Sequence, residues 1–211
     1  MYIAIEGVIG VGKTTLARLL QLSFNAELLL EIFEENPFLS DFYSDRERYA
    51  FQTQIFFLLS RYHQQRKGVR EALESNPWLL SDYTFEKDRL FAEVNLVGDE
   101  LEMYYKVHEA LAEKITRPDL IVYLRADTDV LMHRIAQRDR IYERQMDVNY
   151  IDTLNRTYEA RYVSAPAENV LTVNTNDLDY VRRPEALKSV EQRIRQALKW
   201  APFQESLPID L

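Results

Sequence analysis

The chain contains no cysteine, which excludes disulfides, thiolate metal sites and a cysteine nucleophile. Glycine is scarce at five residues and proline numbers seven, too few for a long flexible linker between domains. No stretch of about 18 apolar residues runs uninterrupted by charge, so no membrane span is expected. No basic segment and apolar run precede the opening Met1-Tyr2-Ile3-Ala4-Ile5, so no signal peptide is expected and a reducing cytoplasm is the expected setting. Positive charge is in deficit: 26 lysines and arginines against 34 acids leave a net charge of −8. Such a chain repels a polyanion unless its cations cluster, which argues against a nucleic-acid polymer as the main partner. A small anion in a focused basic pocket remains compatible.

What is present reads as one α/β domain spanning 1–211. Residues 2–5 are a short apolar run, followed by a helical stripe of Leu16, Leu19, Leu20 and Phe24. Residues 28–30 predict a second strand. A helix is expected over about 46–66, with Phe51, Ile55, Leu58, Leu59 and Tyr62 on one face and Gly68 interrupting. Strands are expected at 78–81, 120–124 and 170–173. Helical spacing recurs at Leu101, Tyr104, His108, Leu111 and Ile115, and again at Leu187, Val190, Ile194 and Leu198. Asp127 or Thr128 is placed to cap a helix running to about 138. Strands alternating with helices predict a five-stranded parallel sheet covered on both faces. In such sheets ligands gather beyond the carboxyl ends of the strands. That rule brings Gly7–Thr14, Glu31, Asp82 and Arg125 to one edge.

Gly7-Val8-Ile9-Gly10-Val11-Gly12-Lys13-Thr14, with Thr15 following, fits G-x-x-x-x-G-K-[ST] at every fixed position. A strand precedes it and an amphipathic helix follows, the context a phosphate-binding loop needs. Its backbone N–H groups and the helix start favour phosphate. Lys13 reaches the β- and γ-phosphates of a nucleoside triphosphate, and Thr14 offers a hydroxyl to Mg²⁺. A phosphotransfer site also needs a base near the acceptor. Glu31 ends the second strand and is the candidate, with Glu34 and Glu35 as rivals outside the strand. Asp82 ends the third strand and can help hold Mg²⁺. Arg134, Arg138, Arg140 and Arg144 form a dense basic run suited to a lid closing over phosphates at about 138–148.

These stretches resemble the deoxyribonucleoside kinase family, and most closely its bacterial deoxyadenosine/deoxyguanosine branch. The resemblance rests on Ile5 to Thr15, Glu31-Ile32-Phe33-Glu34-Glu35-Asn36-Pro37-Phe38-Leu39, Phe51-Gln52-Thr53, Asp82-Tyr83-Thr84 and His133-Arg134-Ile135 with the arginines beyond, all in family order. It implies a P-loop kinase with an arginine-rich lid, moving the γ-phosphoryl of ATP, with Mg²⁺, to the 5′-hydroxyl of a deoxyribonucleoside, with a purine expected. It implies Glu31 as general base and Arg134, Arg138 and Arg140 as lid arginines. It implies Gln52 and Asp88 as readers of the base, and Tyr43 and Glu143 as partners of the sugar 3′-hydroxyl. It implies a homodimer. One position departs from the pattern: Tyr83 stands where the family has an arginine, and Arg61 is a candidate for that arginine's duty. The alternatives are a nucleoside monophosphate kinase of the thymidylate kinase type, a nucleotide-binding regulatory module, and a polynucleotide-dependent ATPase.

Overall fold

The computed structural model describes residues 1–32, 36–144, 146–164 and 169–199. The strands are β1 (Tyr2–Glu6), β2 (Glu27–Leu29), β3 (Leu79–Ser81), β4 (Leu120–Arg125) and β5 (Val170–Asn174). They form one sheet in the order β2-β3-β1-β4-β5, and every neighbouring pair is parallel. A parallel sheet needs crossovers that cover both faces, which is why β1 is buried along its whole length and β4 in all but its last residue. Ile3 sits in register with Leu80 on one side and Leu120 on the other.

The helices are α1 (Lys13–Phe24), α2 (Leu39–Ser44), α3 (Arg46–Ser75), α4 (Glu86–Asn95), α5 (Gly98–Ala112), α6 (Thr128–Arg138), α7 (Val148–Glu159) and α8 (Pro184–Ala197). Asp45 caps α3 by accepting from the Arg48 N–H, and Asp147 caps α7 by accepting from Asn149 N–H. Asp127 precedes α6, as expected, but its side chain makes no cap bond and instead receives Asn176 Nδ2 at 2.8 Å.

Three expectations change. The helix expected over 46–66 runs on to Ser75, straight through Gly68. A Cβ at Gly68 would lie 2.8 Å from Leu29 Cδ1, so this glycine lets α3 lie close on β2 rather than ending it. Helix α4 lacks a plain apolar stripe because charged Lys87 and Asp88 sit on its buried face. Helix α7 had a readable stripe in Tyr150, Ile151, Leu154 and Tyr158 that the strand-helix alternation passed over.

The core lies on both sides of the sheet, with Ile5, Leu20, Leu58, Val122 and Leu154 fully enclosed. Within it Glu6 is a buried carboxylate at the end of β1. It accepts from Gly7 N at 3.2 Å and from Thr84 Oγ1 at 2.8 Å, tying the exits of β1 and β3 together. Burial pushes its pKa up, and Lys87 and Lys13 pull it back. No described helix is long and apolar enough to cross a membrane.

Leu80 is fully buried on β3, which positions Asp82. Leu80→Ala removes that packing and is expected to cost about 2–5 kcal/mol. The check is the urea midpoint, which falls with the slope unchanged.

Candidate active site

The loop after β1 turns on glycines that no other residue could replace without strain. Gly7 has φ +147 and Gly10 has φ +87. A Cβ on Gly7 would come within 2.5 Å of the Leu124 carbonyl oxygen, and one on Gly10 within 2.8 Å of Ile135 Cγ1. Val8 and Val11 are buried beneath the loop and anchor it, while Ile9, Gly10, Gly12 and Thr15 face the cleft. The Lys13 ammonium folds back over the loop, donating to Gly7 O at 2.7 Å and Val8 O at 3.1 Å. Burial, then the nearby Lys87 charge, lowers the Lys13 pKa to about 8.

The strand ends meet as the edge rule expects. Thr14 Oγ1 donates to one oxygen of Asp82, and the other accepts from Glu31 N at 2.8 Å. One carboxylate thus ties the phosphate loop to the ends of β2 and β3. A hydroxyl beside a carboxylate is a hard-oxygen pair of the kind Mg²⁺ takes, so these residues fit that ion.

Glu31 is the centre of the cleft. Arg61 donates to its Oε1 and Lys87 to its Oε2. Burial alone would raise its pKa, but the Arg61 and Lys87 charges outweigh burial and hold it well below the usual carboxylate range. The second arm of Arg61 reaches Asp88, which is completely buried on α4. Two acceptors near this cluster, Asp88 Oδ2 and Gln54 Oε1, have no partner among the described residues.

The cleft encloses about 510 Å³. Its walls bring together the phosphate loop, Glu31, Tyr43, Gln54, Arg61, Asp82, Lys87, Arg138, Arg140 and Glu143. Tyr43 stacks on Tyr142, with ring centroids 5.9 Å apart and planes 13° from parallel. Glu143 lies in a short 3₁₀ turn, Ile141–Glu143, and is buried. Arg138 holds it through Nε at 3.1 Å and a second nitrogen at 2.6 Å, and Arg140 approaches at 3.7 Å. Helix α6 stops at Arg138 because Asp139 takes a left-handed conformation, φ 49, braced by Arg144 at 2.7 Å.

Not every expected residue arrives. Gln52 is exposed on α3 and does not line the cleft; Thr53 and Gln54 do. Two residues along a helix turn about 200°, which carries the side chain to the opposite face. Gln54 could have been found by phase, since it precedes Arg61 by seven residues, two helical turns. Asp88 is behind the wall and meets the cleft only through Arg61. Arg134 also leaves the lining. It donates to Thr175 Oγ1 at 3.0 Å and to Val11 O at 3.4 Å, bracing the loop against the end of β5. Arg125 is largely exposed and pairs with Glu159 at 2.7 Å. Glu34 and Glu35 lie outside the described residues, as does residue 145 of the lid. Tyr83 is fully buried, away from the lining, and donates to Gln64 Oε1 at 2.5 Å. Lys87 carries no sequence signal, because it stands between acidic Glu86 and Asp88 and belongs to no motif.

A phosphate loop, a paired hydroxyl and carboxylate, an ionised glutamate and two arginines around one cleft define a P-loop phosphotransferase. The model of the deoxynucleoside kinase family matches residues 3–199. The chain is similar to a deoxyguanosine kinase of Bacillus subtilis (strain 168), 33% identical over 201 residues that cover 93% of this chain and 97% of that one. A deoxyadenosine/deoxycytidine kinase of the same organism is 29% identical, with 93% and 92% covered. Among solved structures, deoxyadenosine kinase from M. mycoides with bound dCTP superposes with a TM-score of 0.78 at 26% identity, covering 93% of this chain and all of that one. The chain therefore belongs to the deoxynucleoside kinase family, and it is an enzyme that phosphorylates deoxynucleosides. That assignment sets aside the monophosphate kinase, the regulatory module and the polynucleotide-dependent ATPase.

Because Tyr83 touches Gln64 and not the cleft, Tyr83→Phe is expected to leave kcat within about twofold while costing about 1 kcal/mol for the lost hydrogen bond. Steady-state kinetics beside a thermal melt checks both halves.

Proposed function

We propose that the enzyme moves the γ-phosphoryl group of ATP to the 5′-hydroxyl of a purine deoxynucleoside. The observation that carries this reading is Glu31, an ionised carboxylate in the cleft between the phosphate loop and Gln54. The 5′-oxygen forms a bond to the γ-phosphorus, and the hydroxyl proton passes to Glu31. The bond from that phosphorus to the β–γ bridging oxygen breaks, and its electron pair leaves with ADP. Lys13 and the loop N–H groups hold the donor phosphates, and Arg138 and Arg140 stand at the lid to meet them. Thr14 and Asp82 would hold Mg²⁺, which neutralises phosphate charge when bound.

Base reading falls to Gln54 rather than Gln52. The unpartnered Gln54 Oε1 accepts from a base donor, and Asp88 acts by fixing Arg61. An acceptor-rich end favours bases that present amino or imino hydrogens and disfavours thymine at its carbonyls. The purine assignment is also supported by the relatives' names, deoxyguanosine kinase and deoxyadenosine kinase. Tyr43 and Glu143 bind the sugar 3′-hydroxyl in this reading. A cytoplasmic homodimer belongs to it as well. The dimer is supported by exposed Ile32 and Leu59, which line a shallow groove beside Phe56. Sedimentation at micromolar protein gives twice the chain mass if so.

Two experiments test the reading. Glu31→Gln is expected to lower kcat by about 10²- to 10⁴-fold while deoxyguanosine still binds by calorimetry. Near-normal turnover in that variant removes Glu31 from the chemistry. Gln54→Ala is expected to raise the deoxynucleoside KM about tenfold, the worth of one polar contact of about 1.4 kcal/mol. Gln52→Ala is expected to leave KM unchanged. The opposite ranking returns the base contact to Gln52.

A further inference from the structure

Lys87 is a cation of the cleft that belongs to none of the motifs read from the sequence. It stands in the first turn of α4, five residues past Asp82 at the end of β3, and only 6% of it is exposed. Its ammonium donates to Glu31 Oε2 and lies 5.5 Å from the centre of the Phe91 ring one turn on. It lines the same cleft as Lys13 and Thr14.

Charge balance makes the position informative. Glu6, Glu31, Asp82 and Asp88 bring four carboxylates to this region. Arg61 is shared between Glu31 and Asp88, so both of its arms are engaged by carboxylates. Lys13 is bound to the loop carbonyls. Removing Lys87 would take away the cation on Glu31 Oε2 and leave Arg61, already shared with Asp88, to hold that carboxylate. An ammonium has three donors, and only one of them is directed at Glu31. Two ammonium groups lining one cleft repel each other, and an anion between them relieves that repulsion. Tyr83, the residue at the break in the family pattern, faces away toward Gln64.

We propose that Lys87 serves phosphoryl transfer in two ways: it holds Glu31 in line with the acceptor hydroxyl, and it supplies, with Lys13 in the same cleft, positive charge that receives the γ-phosphoryl group. This rests on the phosphotransfer reading above. Arg61 thereby keeps a different duty, joining Glu31 to Asp88 at the base end.

The absence of native cysteine provides a clean test. Lys87→Cys places the only thiol in the chain, and 2-bromoethylamine converts it to a lysine-like side chain with bromide leaving. Wild type treated in parallel controls for other alkylation. K87C and K87M are expected to lose about 10²- to 10³-fold in kcat with deoxynucleoside KM changed less than about threefold. Aminoethylated K87C and K87R are expected to recover most of that loss. Wild-type kcat in K87M overturns the proposal. So does aminoethylated K87C that stays as slow as K87C while both keep the wild-type thermal midpoint. Activity loss that merely tracks a lowered midpoint in both K87M and K87Q also overturns it, because that is a structural role. Wild-type protein with no deoxynucleoside-dependent turnover overturns the functional reading itself, an outcome distinguishable from all of these.

Discussion

The site depends on a buried ion cluster in which Glu31 is held between Arg61 and Lys87, with Asp88 closing the far side of Arg61. Charges taken out of water are costly unless each is paired, and removing one member of a buried pair costs about 3–5 kcal/mol. Such a cluster is weak evidence for stability. Its effect here is electrostatic: it keeps a carboxylate ionised inside a cleft where burial alone would protonate it. A general base, the role proposed for Glu31, has to be charged before it accepts a proton, and Arg61 from α3 and Lys87 from α4 favour that charged form.

The fold exists in this account to bring those helices to the strand ends. The parallel sheet puts the carboxyl ends of β1, β2 and β3 side by side, and Asp82 fastens their three exits through Thr14 and the Glu31 backbone. Gly68 lets α3 approach β2 closely enough for Arg61 to reach Glu31. Glu6 links the start of the phosphate loop to Thr84, just ahead of α4, so the donor and acceptor halves share one frame. Arg138 and Glu143 pair with each other where both line the cleft.

What could be read from the amino acids alone was what is local in the chain. The phosphate loop is eight consecutive residues whose glycines are needed for backbone reasons, and Glu31 and Asp82 follow from strand ends. Those parts of the fold and site were legible. Gln52 is exposed and Gln54 lines the cleft: the Phe-Gln likeness points to the first, while the helical phase shared with Arg61 points to the second. Lys87 is not legible in the sequence because its meaning lies in a contact with Glu31, 56 positions away. Helix α4 was hidden by the same residues, since functional charges replaced the apolar side chains that mark a buried face. Arg134 looked like a lid residue because it shares a helix face with Arg138, yet the neighbouring β5 claims it.

The central claim is that this cleft joins a triphosphate donor to a deoxynucleoside hydroxyl. The most direct test follows the γ-phosphate of labelled ATP, with Mg²⁺, in the presence of deoxyguanosine, deoxyadenosine, deoxycytidine or thymidine. Label is expected in the 5′-monophosphate of a purine deoxynucleoside, with little in that of thymidine. Label released only as inorganic phosphate, at a rate indifferent to every nucleoside, would contradict it.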